Sequence, residues 1–257
     1  MAVTKAEGII IRSMNMGETS KLVTLFSPEL GLLKVVAKGS RSSKSRIGAA
    51  LEPLTVARIV YYHKENRELQ QYLSQADIVE YFPNLPVDLE KWGYANACAE
   101  LIYRSPTSSE ANAKLYPILL NTLRAMNEAG ASARSCFWGF QMKLLGVLGV
   151  APNLRRCLNC NTASPTASVH FDIARGGFIC NHCASPSGTQ KLSGEALRLL
   201  ANFQSLPAEK LSRHKFSPVT RGEIEKFFRA YFAFHLEEIK DLSSLKFVHK
   251  IAAPPVK

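Results

Sequence analysis

Four cysteines draw the middle of this chain to a single point. Cys157-Leu158-Asn159-Cys160 and Cys180-Asn181-His182-Cys183 are two Cys-x-x-Cys pairs with 19 residues between them. Each pair turns tightly enough to aim two thiolates at one centre, and two such turns complete a tetrahedron around Zn²⁺. In a reducing compartment this spacing points to metal before disulfide, with a redox pair or leftover buried cysteines as the alternatives. Arg175-Gly176-Gly177-Phe178-Ile179 reads as a turn and a short strand ahead of the second pair. Four sulfur ligands leave no open position for water or substrate, so Cys157, Cys160, Cys180 and Cys183 imply a structural site. Asn161 to Arg175 offers little to a core, and metal binding worth roughly 10–16 kcal/mol would order it. His182 is read as a solvated turn residue, with a ligand role as the alternative. Cys98 and Cys136 lie on apolar helical faces as small buried hydrophobes.

Before and after about Pro83 the hydrophobic period differs. Upstream, Leu33, Val35 and Ala37 point one way while Lys34, Val36 and Lys38 point the other, the alternation of a strand. Gly8 to Arg12, Lys21 to Phe26, Leu54 to Tyr62 and Glu68 to Val79 are further β-rich runs, and Ser27-Pro28-Glu29-Leu30-Gly31 is a turn. Five strands in some 80 residues predict a small bent barrel, an OB-fold ahead of an SH3-like barrel. Downstream, helices are expected over Asp88–Arg104, from the capping box Thr107-Ser108-Ser109-Glu110 to about Asn127, and over Arg134–Val150, where Pro152 stops the third. Helix resumes over Ser193–Phe203 and over Thr220–Ile239, the latter opened by Thr220-Arg221-Gly222-Glu223. The fold class is therefore α+β: an N-terminal OB-fold β-barrel at 1–82, and a C-terminal all-α domain at 83–152 and 191–250. A four-cysteine zinc finger is inserted at 153–190. The tail 251–257, rich in Pro and Ala, is expected to be disordered.

The chain of 257 residues carries 32 Lys+Arg against 21 Asp+Glu, a formal charge of +11, which favours polyanionic partners. Lys34, Lys38, Arg41, Lys44 and Arg46 follow one another without an acidic residue between them. Lys34 and Lys38 share a strand face, and Gly39 to Arg46 continues as a serine-rich loop suited to phosphates. A solvated loop without a ligand is the bland alternative. Tyr61, Tyr62 and Tyr72 are candidates for base stacking or for the core. Arg155, Arg156, Arg213, Lys215, Lys246 and Lys250 supply cations outside the barrel.

Catalysis finds no support. No phosphate-binding, dinucleotide, nucleophile-elbow or zinc-protease motif occurs, and no carboxylate pair stands in an apolar setting. The N-terminus has no apolar signal core and no run approaches the ~18 apolar residues of a membrane span, so a soluble, non-enzymatic protein is expected.

Several segments together resemble the RecO family of recombinational repair proteins. These are Glu7-Gly8-Ile9-Ile10-Ile11-Arg12, Gly17 to Ser27, Gly31 to Gly39, Gly48-Ala49-Ala50-Leu51-Glu52-Pro53, and Phe140 with Lys143 to Pro152 before the first cysteine pair. The resemblance implies an OB-fold, a helical domain and, where all four cysteines are kept, a zinc finger. It also implies a bacterial cytoplasmic, nucleoid-associated mediator that binds single- and double-stranded DNA and anneals complementary strands. With the RecR protein, such a mediator helps load RecA onto strands coated with single-strand-binding protein. Some members bind the acidic tail of that coat protein in their helical domain. Arg134, Trp138, Lys143 and Leu144 are the candidate pocket here, although Trp138 stands near where the family often has Arg. A zinc-ribbon regulator of transcription or translation is the competing reading, followed by a zinc hydrolase and a pure interaction adaptor.

Overall fold

In the computed structural model, residues 2–42, 45, 47–63, 71–105, 108–163, 168–184, 189–214, 216–239 and 242–252 are described. Strand β1 (Ala2–Met16) serves two partners. Its first half pairs antiparallel with β4 (Val56–His63), from Ala2 opposite His63 to Ile9 opposite Val56. Its second half pairs with β2 (Ser20–Ser27), from Ile9 opposite Phe26 to Met16 opposite Ser20. The register shifts between Ile10 and Arg12, and such a bulge bends the strand so that it can leave one partner for the next. At Gly8 a Cβ would stand 2.3 Å from the Phe26 carbonyl oxygen, so this crossing requires glycine. Strand β3 (Gly31–Ala37) follows β2 antiparallel. Strand β5 (Gln71–Glu80) pairs antiparallel with β4 and parallel with β3 at Val35–Gln71 and Val36–Tyr72, which closes a barrel in the order β1-β2-β3-β5-β4.

The expected alternation in β3 holds. Val35 and Ala37 join Ile10, Val23, Leu25 and Ile59 in the barrel core with Leu33 packed against it, and the 3₁₀ turn Ala49–Leu51 adds Ala50 and Leu51. Val36 is on the other face, yet it too is buried.

Contacts divide the chain into two compact units, Met1–Ala129 with Ser243–Lys257, and Gly130–Leu242. The helices expected to form one C-terminal domain are thus shared between them. In the first unit, α1 (Leu89–Arg104) starts at Asp88, whose carboxylate accepts from the Glu90 and Lys91 N–H groups at 2.9 and 3.1 Å. Helix α2 (Ser109–Asn127) starts at Ser108, one residue after the expected cap; Thr107 lies outside the described residues. Tyr116 of α2 packs on Phe26 of β2 with ring centroids 6.1 Å apart, and Arg124 forks onto both Glu80 oxygens of β5.

The second unit is built on α3 (Ala133–Val147), where twelve of fifteen residues are buried, as befits a central helix. Around it lie β6 (Val169–Asp172), β7 (Gly177–Ile179) and β8 (Gln190–Leu192) as a sheet ordered β7-β6-β8, then α4 (Gly194–Ser205), α5 (Ala208–Leu211) and α6 (Pro218–His235). Helix α6 begins at Ser217 and not at Thr220. The expected box fails there because Glu223 is used elsewhere: its carboxylate accepts from the N–H and hydroxyl of Ser193, the cap of α4. Thr220 in turn donates to Glu195 of α4. The two helix starts are thereby tied to each other.

One further helix, α7 (Ser243–Ala252), returns to α1 in the first unit. Ile251 and Ala252 belong to it, and 253–257 lie outside the described residues. Gly93 makes the contact possible, since a Cβ there would meet Val248 Cγ2 at 2.3 Å. Glu100 of α1 caps this helix from outside: its carboxylate accepts from the Ser243 and Ser244 N–H groups at 3.0 and 2.9 Å and from Arg104 at 2.6 Å. Burial pushes the Glu100 carboxyl up, but these N–H groups and Arg104 outweigh it, so its pKa falls below the ordinary 4.5. A depressed carboxylate stabilises the fold above its unfolded pKa and ceases to do so as pH falls through the lower folded value. Glu100→Gln should cost on the order of 1 kcal/mol at neutral pH, as lost caps do. It should also remove part of the stability loss below about pH 4.5. Thermal melts of both proteins from pH 7 to 3 test this; parallel curves would exclude the cap.

Candidate metal centre and nucleic-acid interface

The knuckles arise from short backbone hydrogen bonds around each cysteine pair. Cys157 N–H donates to Thr162 O at 2.9 Å, Asn161 N–H to Cys157 O at 3.0 Å, and Cys183 N–H to Cys180 O at 3.0 Å. Asn161 takes the left-handed conformation (φ 60°) that a tight knuckle needs. The sulfurs of Cys157, Cys160, Cys180 and Cys183 all lie within 4.8 Å of one another, and the Cys160 and Cys180 sulfurs are 3.6 Å apart. A tetrahedron with Zn–S bonds of ~2.3 Å has edges of about 3.8 Å, so the donor set fits that ion in size and in chemistry. His182 is exposed and outside the cluster.

The thiols are electrostatically frustrated. Hydrogen bonding by Thr162 holds Cys160 down to about 6. Burial raises Cys157, but the N–H groups of Cys160, Cys180 and Asn159 outweigh it and hold the thiol below its ordinary value. Cys183, bonded to the Cys160 and Cys180 sulfurs, is pushed up to about 12. Four thiolates this close repel one another, and only a cation among them lets all four ionise.

Contrary to expectation, the segment between the pairs does not lack a core. Val169 and Phe171 of β6 are fully buried. The Phe171 ring stands edge-on to Phe227 of α6 at 5.0 Å and lies 6.2 Å from Tyr231. His235 bonds the Ile173 carbonyl at 2.8 Å, and Tyr231 donates to Val150 O at 3.0 Å. Residues 164–167 lie outside the described residues.

The basic segment divides. Lys34 and Lys38 are exposed on the outer face of the barrel, Lys34 with its ammonium 5.9 Å from the Tyr103 ring and Lys38 4.5 Å from the Tyr72 ring. Arg41 is exposed too, but its guanidinium donates to Gly17 O and Glu18 O at 3.0 and 2.8 Å. It thus clamps the β1–β2 turn. Lys44 and Arg46 lie outside the described residues. Of the candidate tyrosines, Tyr61 is in the barrel core, Tyr62 is exposed, and Tyr72 is half-buried under Lys38. Arg155, Arg156 and Arg213 are exposed in the second unit, Lys246 and Lys250 in the first; Lys215 lies outside the described residues.

The nominated tail pocket is not open. Arg134 is buried and paired with Glu225 at 3.0 Å. Trp138 is enclosed by Phe203, Phe216 and Phe228, and Leu144 is fully buried. Lys143, whose pKa burial lowers, donates to Leu206 O at 2.7 Å. Arg134, Trp138 and Leu144 are buried in the packing of the second unit, and Lys143 is half-buried with its ammonium held by a backbone carbonyl.

Two residues escaped the sequence reading. Arg12 lies opposite Thr24 on β2, which lies opposite Lys34 on β3, and its guanidinium is 5.0 Å from the Tyr103 ring. Arg12 ends a recognisable segment and was open to nomination. Tyr103 is on α1, nearly seventy residues from Lys34, and no local pattern joins them.

Comparison with known proteins agrees with this architecture. Residues 1–82 match the family described as "Recombination protein O N terminal", and residues 86–245 match "Recombination protein O C terminal". A DNA repair protein RecO from Roseiflexus sp. is 35% identical over 253 residues, 97% of this chain and 86% of that protein. The DNA repair protein RecO of Pelotomaculum thermopropionicum is 33% identical over 259 residues, 99% of this chain and 97% of its own. With both halves matched and full-length relatives at this identity, the chain belongs to the RecO family.

Proposed function

We infer that this chain is a non-enzymatic, DNA-binding mediator of recombinational repair, acting from an N-terminal OB-fold. The carrying observation is the barrel's cationic outer face, with Lys34 and Lys38 exposed and Arg41 at the adjoining turn. The strand order β1-β2-β3-β5-β4, with its parallel β3–β5 closure and a short helical turn between β3 and β4, supports the OB assignment. The family's role supports binding of both single- and double-stranded DNA and annealing of complementary strands. It further supports action with RecR, and with single-strand-binding protein as the coat that is exchanged for RecA. A cationic surface that holds two strands screens their repulsion and leaves bases free to pair. Arg155, Arg156, Arg213, Lys246 and Lys250 add exposed charge outside the barrel. A coat-protein tail would need a surface other than the sealed cluster of Arg134, Trp138, Lys143 and Leu144.

Zn²⁺ would be held by Cys157, Cys160, Cys180 and Cys183, and its chemistry there is structural cross-linking. Purified protein should carry about one zinc per chain, and Cys160→Ser with Cys183→Ser should lose it. Because Val169 is buried and Phe171 is anchored on α6, metal loss should lower the melting temperature yet leave helical circular dichroism largely intact. Metal-free protein with an unchanged melting temperature would end the zinc assignment.

Each phosphate neutralised on a single strand contributes about −0.7 to the slope of log K against log salt. Lys34→Ala with Lys38→Ala should therefore weaken oligonucleotide binding and flatten the slope by about 1.4. Anisotropy titrations from 50 to 300 mM salt read both quantities, and an unaltered slope would remove these lysines from the interface.

A further inference from the structure

The four sulfurs of the cluster are not equally placed. Cys157 is buried, Cys180 and Cys183 are half-exposed, and Cys160 is exposed. The Cys160 sulfur stands 3.6 Å from that of Cys180, on the opposite knuckle and 20 positions along the chain. A disulfide would close this gap to ~2.05 Å, a movement of about 1.6 Å shared between two side chains. Little opposes it on the first knuckle, where Asn159, Cys160, Asn161 and Thr162 are all exposed. The Thr162 hydroxyl, 3.1 Å from the Cys160 sulfur, is the polar side chain that meets it.

The surroundings would survive the movement. Cys157 is outside the pair, and its sulfur accepts the Cys180 N–H at 3.3 Å, so the two knuckles stay in contact through a group that does not react. The sheet beneath is held by the burial of Val169, Phe171, Phe178 and Leu192 and does not depend on the cluster. Cys98 and Cys136 are fully buried, so neither competes for an oxidant arriving from solvent.

We propose that Cys160 and Cys180 are an oxidation site for hydroperoxides, at which a disulfide between the knuckles replaces the metal as their cross-link. The proposal rests on the zinc reading and goes beyond it. The Cys160 thiolate attacks a peroxide oxygen; the S–O bond forms, the O–O bond breaks, and the leaving hydroxide or alkoxide takes a proton from solvent. The Cys180 thiolate then attacks the resulting sulfenic acid; the S–S bond forms, the S–O bond breaks, and hydroxide leaves and is protonated. Two thiolates have given up two electrons, and hydrogen peroxide has become two waters. Only Cys157 and Cys183 remain as ligands, too few for a closed tetrahedral site, so the ion is released. A disulfide inside either Cys-x-x-Cys pair would leave the knuckles unlinked, whereas this one closes a loop across them and limits the unfolded chain. The change also reaches two exposed arginines, because Arg175 donates to Asn159 at 3.0 Å and Arg156 to Asn161 O at 3.2 Å, on either side of Cys160.

The test uses full-length protein whose zinc content is measured first, treated with hydrogen peroxide beside a chromogenic zinc chelator. About one zinc should be released per disulfide formed. Non-reducing peptide mapping should join Cys160 to Cys180 and recover Cys157 and Cys183 as alkylated thiols. The oxidised chain should melt above reduced chain stripped of metal by a chelator, and a dithiol with added Zn²⁺ should reverse the change. Cys160→His, which keeps a donor set of three sulfurs and one imidazole, should hold its zinc against the same peroxide; where that variant does not load, the wild-type mapping decides. Zinc retained under peroxide that oxidises glutathione, disulfides confined within a Cys-x-x-Cys pair, or release with the sulfurs overoxidised and unlinked would overturn the proposal. A chain purified without zinc would end the metal reading separately, and a pairing other than Cys160 with Cys180 in that chain would sink the oxidation site as well.

Discussion

A single strand decides how the first unit is built. β1 must give its backbone hydrogen bonds to β4 with one half and to β2 with the other, and only the bulge between Ile10 and Arg12 lets it bend between them. Gly8 sits beside that bend, where the Phe26 carbonyl leaves no room for a side chain. Once β1 is shared in this way, the barrel has no free edge at that point, and β3 and β5 meet in parallel to close the other side. The bend also arranges the outer face. It sets Arg12 across from Thr24 and Lys34 and so assembles one cationic row from three strands.

Charge is deployed unevenly within this frame. Some basic side chains are consumed by the fold: Arg124 forks onto Glu80, Arg58 pairs with Glu7, and Arg41 ties the β1–β2 turn through two carbonyls. Lys34 and Lys38 lean on tyrosine rings and have no carboxylate in their rows. A cation over an aromatic ring keeps most of its field available to a phosphate, whereas one locked onto a carboxylate does not. The net charge of +11 therefore understates how strongly one face is biased and overstates the rest.

Much of the fold was legible because it rests on local patterns. Alternation in Leu33–Lys38 gave the inward face of β3, and Asp88 gave the start of α1. The cysteine spacing named all four members of the sulfur cluster. Failures came where distant partners decide. Thr220 and Glu223 look like a capping box, but Glu223 caps α4 and Ser217 caps α6. Arg134, Trp138, Lys143 and Leu144 look like a charged, apolar pocket, but Glu225, three phenylalanines and the Leu206 carbonyl already occupy them. Helix α7 carries Leu245 and Val248 at helical spacing, yet its N-cap comes from Glu100, more than 140 residues earlier.

The sulfur cluster and the small sheet beside it divide the labour of holding residues 157–192. The sheet is fastened by burial: Val169, Phe171, Phe178 and Leu192 are fully enclosed, and Phe171 meets Phe227 and Tyr231 edge-on. The knuckles have less burial: Cys157 is buried, but Cys160 is exposed and Cys180 and Cys183 are half-exposed. Metal–thiolate bonds of ~2.3 Å would tolerate water there, and the sulfur cluster has the size to make them. Thiols left to themselves would not draw the knuckles together: hydrogen bonding and repulsion among the sulfurs set Cys160 at about 6 and Cys183 at about 12. A dication removes that disparity by stabilising every thiolate at once. A metal held by these sulfurs would contribute most where the hydrophobic core contributes least, at the exposed Cys160, Cys180 and Cys183.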